Sequence, residues 1–135
     1  MTYLLDTNVF IEAKNRYYGL DFCPAFWEWL DQAHAAGVVS SIDKVATELT
    51  GQEDQLASWA GHRPRTFFLE ADPALLPSLQ VLSGWAIGAG YKPAAVTTFL
   101  GGADYYLVAH AHGHNHIVVT QEVPAPPPSK SIKIP

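Results

Sequence analysis

Cysteine is almost absent from the chain, because Cys23 is the single cysteine among 135 residues. A lone cysteine excludes an internal disulfide and a metal site built from several thiolates, and it suits a reducing compartment. The amino terminus lacks the basic start and the long apolar stretch of a signal peptide, and no later apolar run is long enough to span a bilayer. The sequence therefore predicts a soluble, cytoplasmic protein with no membrane partner, in which Cys23 belongs to the core.

Basic residues are also scarce, since 8 lysines and arginines stand against 13 aspartates and glutamates, for a formal net charge of −5. A chain of this charge has no obvious basic surface for nucleic acid. If its substrate is a nucleic acid, cations must help to neutralise the phosphates. Apolar residues make up 48% of the chain, which at this length is enough for one domain with a core.

We expect this domain to cover residues 1–123. Residues 124–131 are rich in proline and predict an extended loop without regular hydrogen bonding. Apolar and polar residues alternate at positions 132–135, as at the start of a last strand, and the chain ends there. This pattern suggests a truncated carboxyl terminus. The predicted second unit, residues 124–135, is thus a loop with the beginning of a strand.

Short apolar runs alternate with helical patterns along the chain. Strands are predicted at residues 3–5, 38–40 and 117–120, and residues 66–69 predict an edge strand or an extended connector. Helices are predicted at residues 25–34, 42–49 with Ser41 as N-cap, 52–60, 73–87, 93–100 and 103–112, the last ended by Gly113. This alternation predicts an α/β fold, in which a small, mainly parallel sheet is covered by helices on both faces.

Four acidic residues stand at the ends of apolar runs: Asp6, Glu48, Asp104 and Glu122. In a parallel sheet, ligands bind outside the carboxyl ends of the strands, and Asp6 and Glu122 lie at or just beyond such ends. Glu48 and Asp104 lie on helices that we expect to face the same cleft. Carboxylates within about 6 Å of one another repel unless divalent cations offset their charge. Ligands that are all oxygen favour Mg²⁺ or Mn²⁺ over zinc, which points to metal-dependent hydrolysis of a phosphodiester.

Four segments together carry a resemblance to a known family. They are Tyr-Leu-Leu-Asp-Thr-Asn-Val-Phe-Ile at residues 3–11, Val-Ala-Thr-Glu-Leu at 45–49, Ala-Asp-Tyr-Tyr-Leu-Val-Ala-His-Ala at 103–111 and Val-Val-Thr-Gln-Glu at 118–122. Over essentially its whole length the chain resembles the PIN-domain ribonucleases, and within them the VapC-like toxins of toxin–antitoxin pairs. Glu122 departs from the pattern, because many members place the shorter aspartate there.

The resemblance implies a PIN-like three-layer α/β/α fold and Mg²⁺- or Mn²⁺-dependent endonucleolytic cleavage of RNA. It implies that Asp6, Glu48, Asp104 and Glu122 are the catalytic metal ligands, supported by Asn8 and Thr120. It also implies a cognate antitoxin that occupies the active-site groove, and a homodimer. A catalytically weak PIN-type module that binds RNA or protein stays open as the alternative function. A haloacid-dehalogenase-like phosphatase fits less well, since Asp6-Thr7-Asn8 lacks the second aspartate of that family.

Substrate contacts are predicted near the first strand and at the start of the second helix. Lys14, Arg16 and Lys44 are the nearest candidates for contacts with phosphates. The alternative for Lys44 is an ion pair on the helix surface with Glu48, worth roughly 0.3 kcal/mol. Tyr17, beside Tyr18 in a polar stretch, is the candidate for stacking on a base.

Histidines alternate at positions 110, 112, 114 and 116, a pattern that invites a zinc site. Because we expect Gly113 to end the helix, the four rings need not share a face. Histidines near the carboxyl end of a helix are also stabilised by the helix dipole. The sequence therefore favours a structural interpretation of these histidines over metal binding.

Overall fold

A computed structural model describes residues 2–51, 53–123 and 132. The chain forms a three-layer α/β/α fold around a small parallel sheet, as the sequence predicted. The sheet has the strand order β3-β2-β1-β4, and each neighbouring pair is parallel. Its strands are β1 (Tyr3–Leu5), β2 (Val39–Ile42), β3 (Phe68–Leu69) and β4 (Ile117–Val119).

Helices fill the connections between these strands. They are α1 (Thr7–Glu12), α2 (Pro24–Ala35), α3 (Asp43–Thr50), α4 (Gln55–Gly61), α5 (Leu76–Gly88), α6 (Pro93–Leu100) and α7 (Ala103–His114). A π-helical turn (Ala13–Tyr17) continues α1, and a 3₁₀ turn (Pro73–Leu75) precedes α5. No helix of the described residues has the length and apolar content needed to cross a membrane.

The carboxyl ends of β1 and β4 lie side by side. Leu5 pairs with Val119 in register, and the backbone N–H of Asp6 donates to the carbonyl of Val119 at 3.0 Å. The residues that follow the two strands, Asp6 and Thr120, are therefore neighbours although 114 positions separate them. This register places the first acid next to the segment that carries Glu122.

Helix α7 is buried on more than one side, which explains the dense apolar pattern in its sequence. Leu107 packs in the main core around the sheet, whereas Tyr105 and Ala109 pack in a second cluster with residues of α5 and α6. A helix with apolar residues all round is expected where two layers meet across it. Because α7 is held from both sides, Asp104 in its first turn has a fixed place relative to the sheet.

The beginnings of α3, α4 and α5 differ from the prediction, and α5 begins at Leu76 because residues 73–75 form a 3₁₀ turn. Ser41 lies in β2 and its hydroxyl donates to the Leu5 carbonyl at 2.6 Å, so α3 begins after it, at Asp43. Helix α4 begins at Gln55, because the Asp54 side chain accepts from the Ala57 N–H at 2.9 Å and caps it. Helix α1 was not predicted. It starts directly after Asp6, whose side chain accepts from its first N–H group.

The end of α7 was also predicted wrongly. The helix passes through Gly113 and its last residue is His114. Asn115 follows with a left-handed φ of 56°, a conformation that ends many helices. Gly113 has a packing role, since a Cβ there would lie 3.2 Å from the Ala74 carbonyl oxygen. The edge strand predicted within residues 66–69 is confirmed as β3.

The predicted proline-rich loop and last strand fall almost entirely outside the described residues. Of residues 124–135 only Ile132 is described. Ile132 is buried in the second core cluster and is not in a strand.

Candidate metal centre

Asp6 is the most buried acid of the site, with 2% of its surface exposed. One carboxylate oxygen accepts from the backbone N–H of Thr7 at 2.7 Å, and the other accepts from the Thr120 hydroxyl at 2.8 Å. Thr120 in turn accepts from the backbone N–H of Glu122 at 3.1 Å. The start of α1 and the end of β4 thus hold the same carboxylate in place.

Three carboxylates converge at this edge of the sheet. Asp6, Asp104 and Glu122 each offer an oxygen, and these oxygens all lie within 4.8 Å of one another. We call these residues the acidic trio. Within the described ranges it is the one group of three histidine, cysteine or acidic side chains that meets this distance. The trio includes Glu122, whose side chain is longer than the aspartate that many PIN-domain members have at this position. This longer side chain also reaches the centre from the segment after β4.

Glu48 approaches the centre from α3 without joining the trio. Its Oε2 accepts from the Thr7 hydroxyl at 2.5 Å, and Thr7 directly follows Asp6 in the chain. Its charge still acts on Asp6. Sequence reasoning missed Thr7, although its position directly after Asp6 was visible. Asn8, the predicted supporting residue, is exposed on α1.

The pKa of Asp6 is raised above its ordinary value of 3.8, chiefly because burial disfavours the charged form. The charges of Glu122 and Glu48 raise the pKa further, whereas the hydrogen bonds from Thr120 and Thr7 lower it. Asp6 is therefore an acid whose ionised form lacks a compensating positive charge. A cation among the three carboxylates would supply that charge.

The donor set suits a hard divalent cation. The acidic trio consists of carboxylate oxygens, which are preferred by Mg²⁺ and Mn²⁺, and it contains no thiolate or imidazole. The burial that raises the pKa of Asp6 also holds its carboxylate in place before a cation binds. Asp6, Asp104 and Glu122 would be the ligands. Thr120 would orient Asp6, and the hydroxyl of Thr7 would orient Glu48.

The predicted substrate contacts Lys14 and Arg16 are engaged with acids, and only Lys14 lines the same cleft as Glu48. Lys14 forms an ion pair with Asp54 at 2.8 Å, and Arg16 pairs with Glu12 at 2.9 Å. Tyr17 is exposed beside Tyr18. A cleft beside these residues is lined by Ile11, Lys14, Asn15, Glu48, Leu49, Asp54 and Leu56.

Lys44 does not make the ion pair with Glu48 that one interpretation of the sequence favoured. Its ammonium lies 4.7 Å from the centroid of the Tyr106 ring, in a cation–π contact between α3 and α7. Glu48 points instead to Thr7. The helical spacing of four residues permitted the pair, but the partners offered by α1 and α7 decide where both side chains go.

Residues 3–135 match the model of a family described as a domain of unknown function, DUF4411. The chain belongs to the DUF4411 family. No curated protein and no solved structure matches the chain. In this DUF4411 domain the matched range contains the acidic trio, Glu48 and both supporting threonines.

Proposed function

We propose that this DUF4411 protein is a PIN-type endoribonuclease that depends on Mg²⁺ or Mn²⁺. The observation that carries the proposal is the convergence of Asp6, Asp104 and Glu122 within 4.8 Å at the carboxyl edge of a parallel sheet. These acids come from three distant parts of the chain, so their meeting is a property of the fold. Ligand sites of α/β proteins lie at this edge.

A bound divalent cation would supply a nucleophilic water and would neutralise charge on the phosphate. The chain itself supplies the ligands and their orientation. Thr120 fixes one oxygen of Asp6 at 2.8 Å, which leaves the carboxylate little rotational freedom. Thr7 holds one oxygen of Glu48, so that the other oxygen of Glu48 is placed to accept a proton through water.

The RNA would enter along the cleft that begins at Glu48. Its wall includes Lys14, and a phosphate would have to replace Asp54 as the partner of that lysine. Tyr17, with 61% of its surface exposed, lies on the segment that leads into this cleft and would stack on a base. A formal net charge of −5 makes cations necessary for RNA binding as well as for cleavage.

We extend the proposal to the biological class, a cytoplasmic toxin of a toxin–antitoxin pair. An apolar groove lined by residues of β1, α2 and β2, with Tyr3, Trp29 and Val38 exposed around it, is a surface suited to a protein partner. The partner would be a cognate antitoxin or a second copy of the chain. Co-expression with the product of the neighbouring gene, followed by a pull-down, tests the first; sedimentation of the purified chain tests the second.

The test of the activity is cleavage of an RNA pool with and without Mg²⁺ or Mn²⁺. We expect metal-dependent cleavage that Asp6→Asn and Asp104→Asn each reduce by at least about 100-fold, because each removes a direct ligand. Glu28→Gln is the matched control, since Glu28 is an exposed acid of α2, and it should leave cleavage unchanged. Full cleavage by the Asp104→Asn variant would refute the proposal. RNA binding without cleavage by the wild-type chain would favour the binding module instead.

A further inference from the structure

A second group of metal-binding side chains lies at the other end of α7. His110 and His114 are four residues apart and share one face of the helix, with ring centroids 6.2 Å apart. His116 follows the helix end, and its ring centroid is 5.8 Å from that of His114. The left-handed Asn115 turns the chain so that His116 returns to this face. The extension of α7 beyond Gly113 therefore brings together three rings that the sequence was expected to scatter.

These histidines form one wall of a pocket of about 240 Å³. The other wall comes from the segment after β3 and includes Glu70 and Asp72. An oxygen of the Asp72 carboxylate lies 2.9 Å from His114 Nε2, within hydrogen-bond distance. This contact fixes the orientation of the His114 ring. Two carboxylates and three imidazoles thus line one cavity, and Asp72 is the carboxylate in contact with a histidine. The cavity is large enough for an ion and its remaining waters, each of which occupies about 30 Å³.

Two of the rings carry buried nitrogens that the protein leaves without partners. His110 is 1% exposed, and among the described residues neither of its ring nitrogens has a hydrogen-bond partner. The Nδ1 atom of His116 is buried and unpartnered in the same sense. Buried polar groups in proteins are nearly always hydrogen-bonded, and a missing partner is costly. A metal cation, which accepts the lone pairs of imidazole nitrogens, would give these buried nitrogens a partner.

Burial and neighbouring charges change the pKa values of two of these rings. Burial is the main reason that the pKa values of His110 and His116 are lowered from 6.5, and the neighbouring His114 lowers both further. Asp72 and Asp43 act on His110 in the opposite direction, and the amino terminus adds to the lowering at His116.

We propose that His110, His114 and His116, together with Asp72, form a binding site for Zn²⁺ or a similar transition-metal cation. Zinc accepts imidazole nitrogens at 2.0–2.1 Å, so two tetrahedral ligand rings have centroids about 5 Å apart. The observed centroid distances are 6.2 and 5.8 Å, with ring planes 29° and 21° apart, so zinc binding requires the rings to approach by roughly 1 Å and to turn toward a common point. His114 is exposed and His116 is half-buried, whereas His110 is buried, so the movement would fall on His114 and His116, with Asp72 moving as the partner of His114.

This histidine site is separate from the acidic trio. Asp104 and His114 are ten residues apart on α7, or roughly 15 Å along the helix axis. The two sites also differ in chemistry, because nitrogen ligands select zinc-like cations whereas the trio offers oxygens. Zinc at the histidine site would link the end of α7 and the start of β4 to Asp72, and would therefore stabilise the segment that leads to Glu122.

The test is calorimetric titration of the untagged chain with Zn²⁺ in the presence of excess Mg²⁺, so that the acidic trio is already occupied. We expect one saturable site per chain that His114→Gln and His116→Gln each weaken at least tenfold. His112→Gln is the matched control on the same helix, because His112 bonds to the Ser78 hydroxyl at 2.8 Å and does not line the pocket. Asp104→Asn should leave zinc binding unchanged, which separates this site from the nuclease site.

His110→Leu provides a second, independent readout. It removes two buried nitrogens without partners, so the metal-free variant should unfold at a temperature no lower than the wild type, while zinc should no longer raise that temperature. The proposal is overturned if the wild-type chain shows no saturable zinc binding. It is equally overturned if binding survives His114→Gln and His116→Gln, or if His112→Gln weakens it as much as they do.

Discussion

Asp6 shows most clearly how single residues prepare the site. Its carboxylate is almost fully buried, accepts two hydrogen bonds and lies near three further acids, Asp104, Glu122 and Glu48. The hydrogen bonds favour its ionised form, but burial outweighs them and raises its pKa. In the absence of a cation, the ionised Asp6 therefore lowers the stability of the folded chain.

We predict that Asp6→Asn increases the free energy of unfolding of the metal-free protein at neutral pH. The folded-state pKa lies above the unfolded value, so the contribution of Asp6 to stability is fully present below the unfolded pKa, near 3.8, and is lost as the pH rises through the folded pKa. The gain from the substitution should accordingly grow with pH above 3.8 and level off. Urea unfolding at several pH values measures it. A constant difference at all pH values would contradict the assigned cause.

Thr7 is the residue through which Glu48 is positioned. Thr7→Val keeps the shape of this buried side chain and removes the hydroxyl that donates to Glu48. We predict a loss of about 10- to 100-fold in cleavage rate, the usual effect of removing a group that orients a residue of a metal site. Thr7→Ser retains the hydroxyl and serves as the control. Equal activity of Thr7→Val and wild type would show that Glu48 needs no positioning.

At the scale of elements, the sequence predicted more than it missed, and the misses share a cause. Local patterns of apolar residues predict the strands and α6. They also locate the acid after β1 and the acid in the first turn of α7. The start of α3 was misplaced because Ser41 bonds across the sheet to Leu5, and the end of α7 because Gly113 packs against Ala74. Both contacts join residues more than 30 positions apart, and no local pattern contains that information.

Two helical glycines should respond to alanine in opposite ways. A Cβ at Gly84 in α5 would meet no atom within 4 Å, so Gly84→Ala should stabilise the chain by about 0.5–1 kcal/mol through helix propensity. A Cβ at Gly113 in α7 would lie 3.2 Å from the Ala74 carbonyl oxygen and 3.3 Å from Ser78 Oγ. Gly113→Ala should therefore destabilise the chain. Thermal unfolding of both variants is the measurement, and a gain at both positions would disprove the close packing of α7 on this segment.

At the scale of the whole molecule, the fold gathers acids that are distant in sequence and leaves basic residues engaged elsewhere. Lys14 and Arg16 are each paired with an acid, and Lys44 lies over Tyr106. The sequence identified the four acids and marked Glu122 as the departure from the pattern of the family that it resembles. Glu122 joins Asp6 and Asp104, whereas Glu48 is held by Thr7, and these outcomes depend on where β4 and α3 meet the end of β1.

The most direct test of the metal centre compares these two glutamates. Calorimetric titration with Mn²⁺, counting the binding that Mg²⁺ displaces, should show a saturable site in the wild-type chain. Glu122→Gln should weaken that site by at least about tenfold, because it removes a direct ligand, and Glu48→Gln should weaken it less. The absence of Mg²⁺-displaceable binding in the wild type, or a larger loss in Glu48→Gln than in Glu122→Gln, would contradict a cation held by Asp6, Asp104 and Glu122.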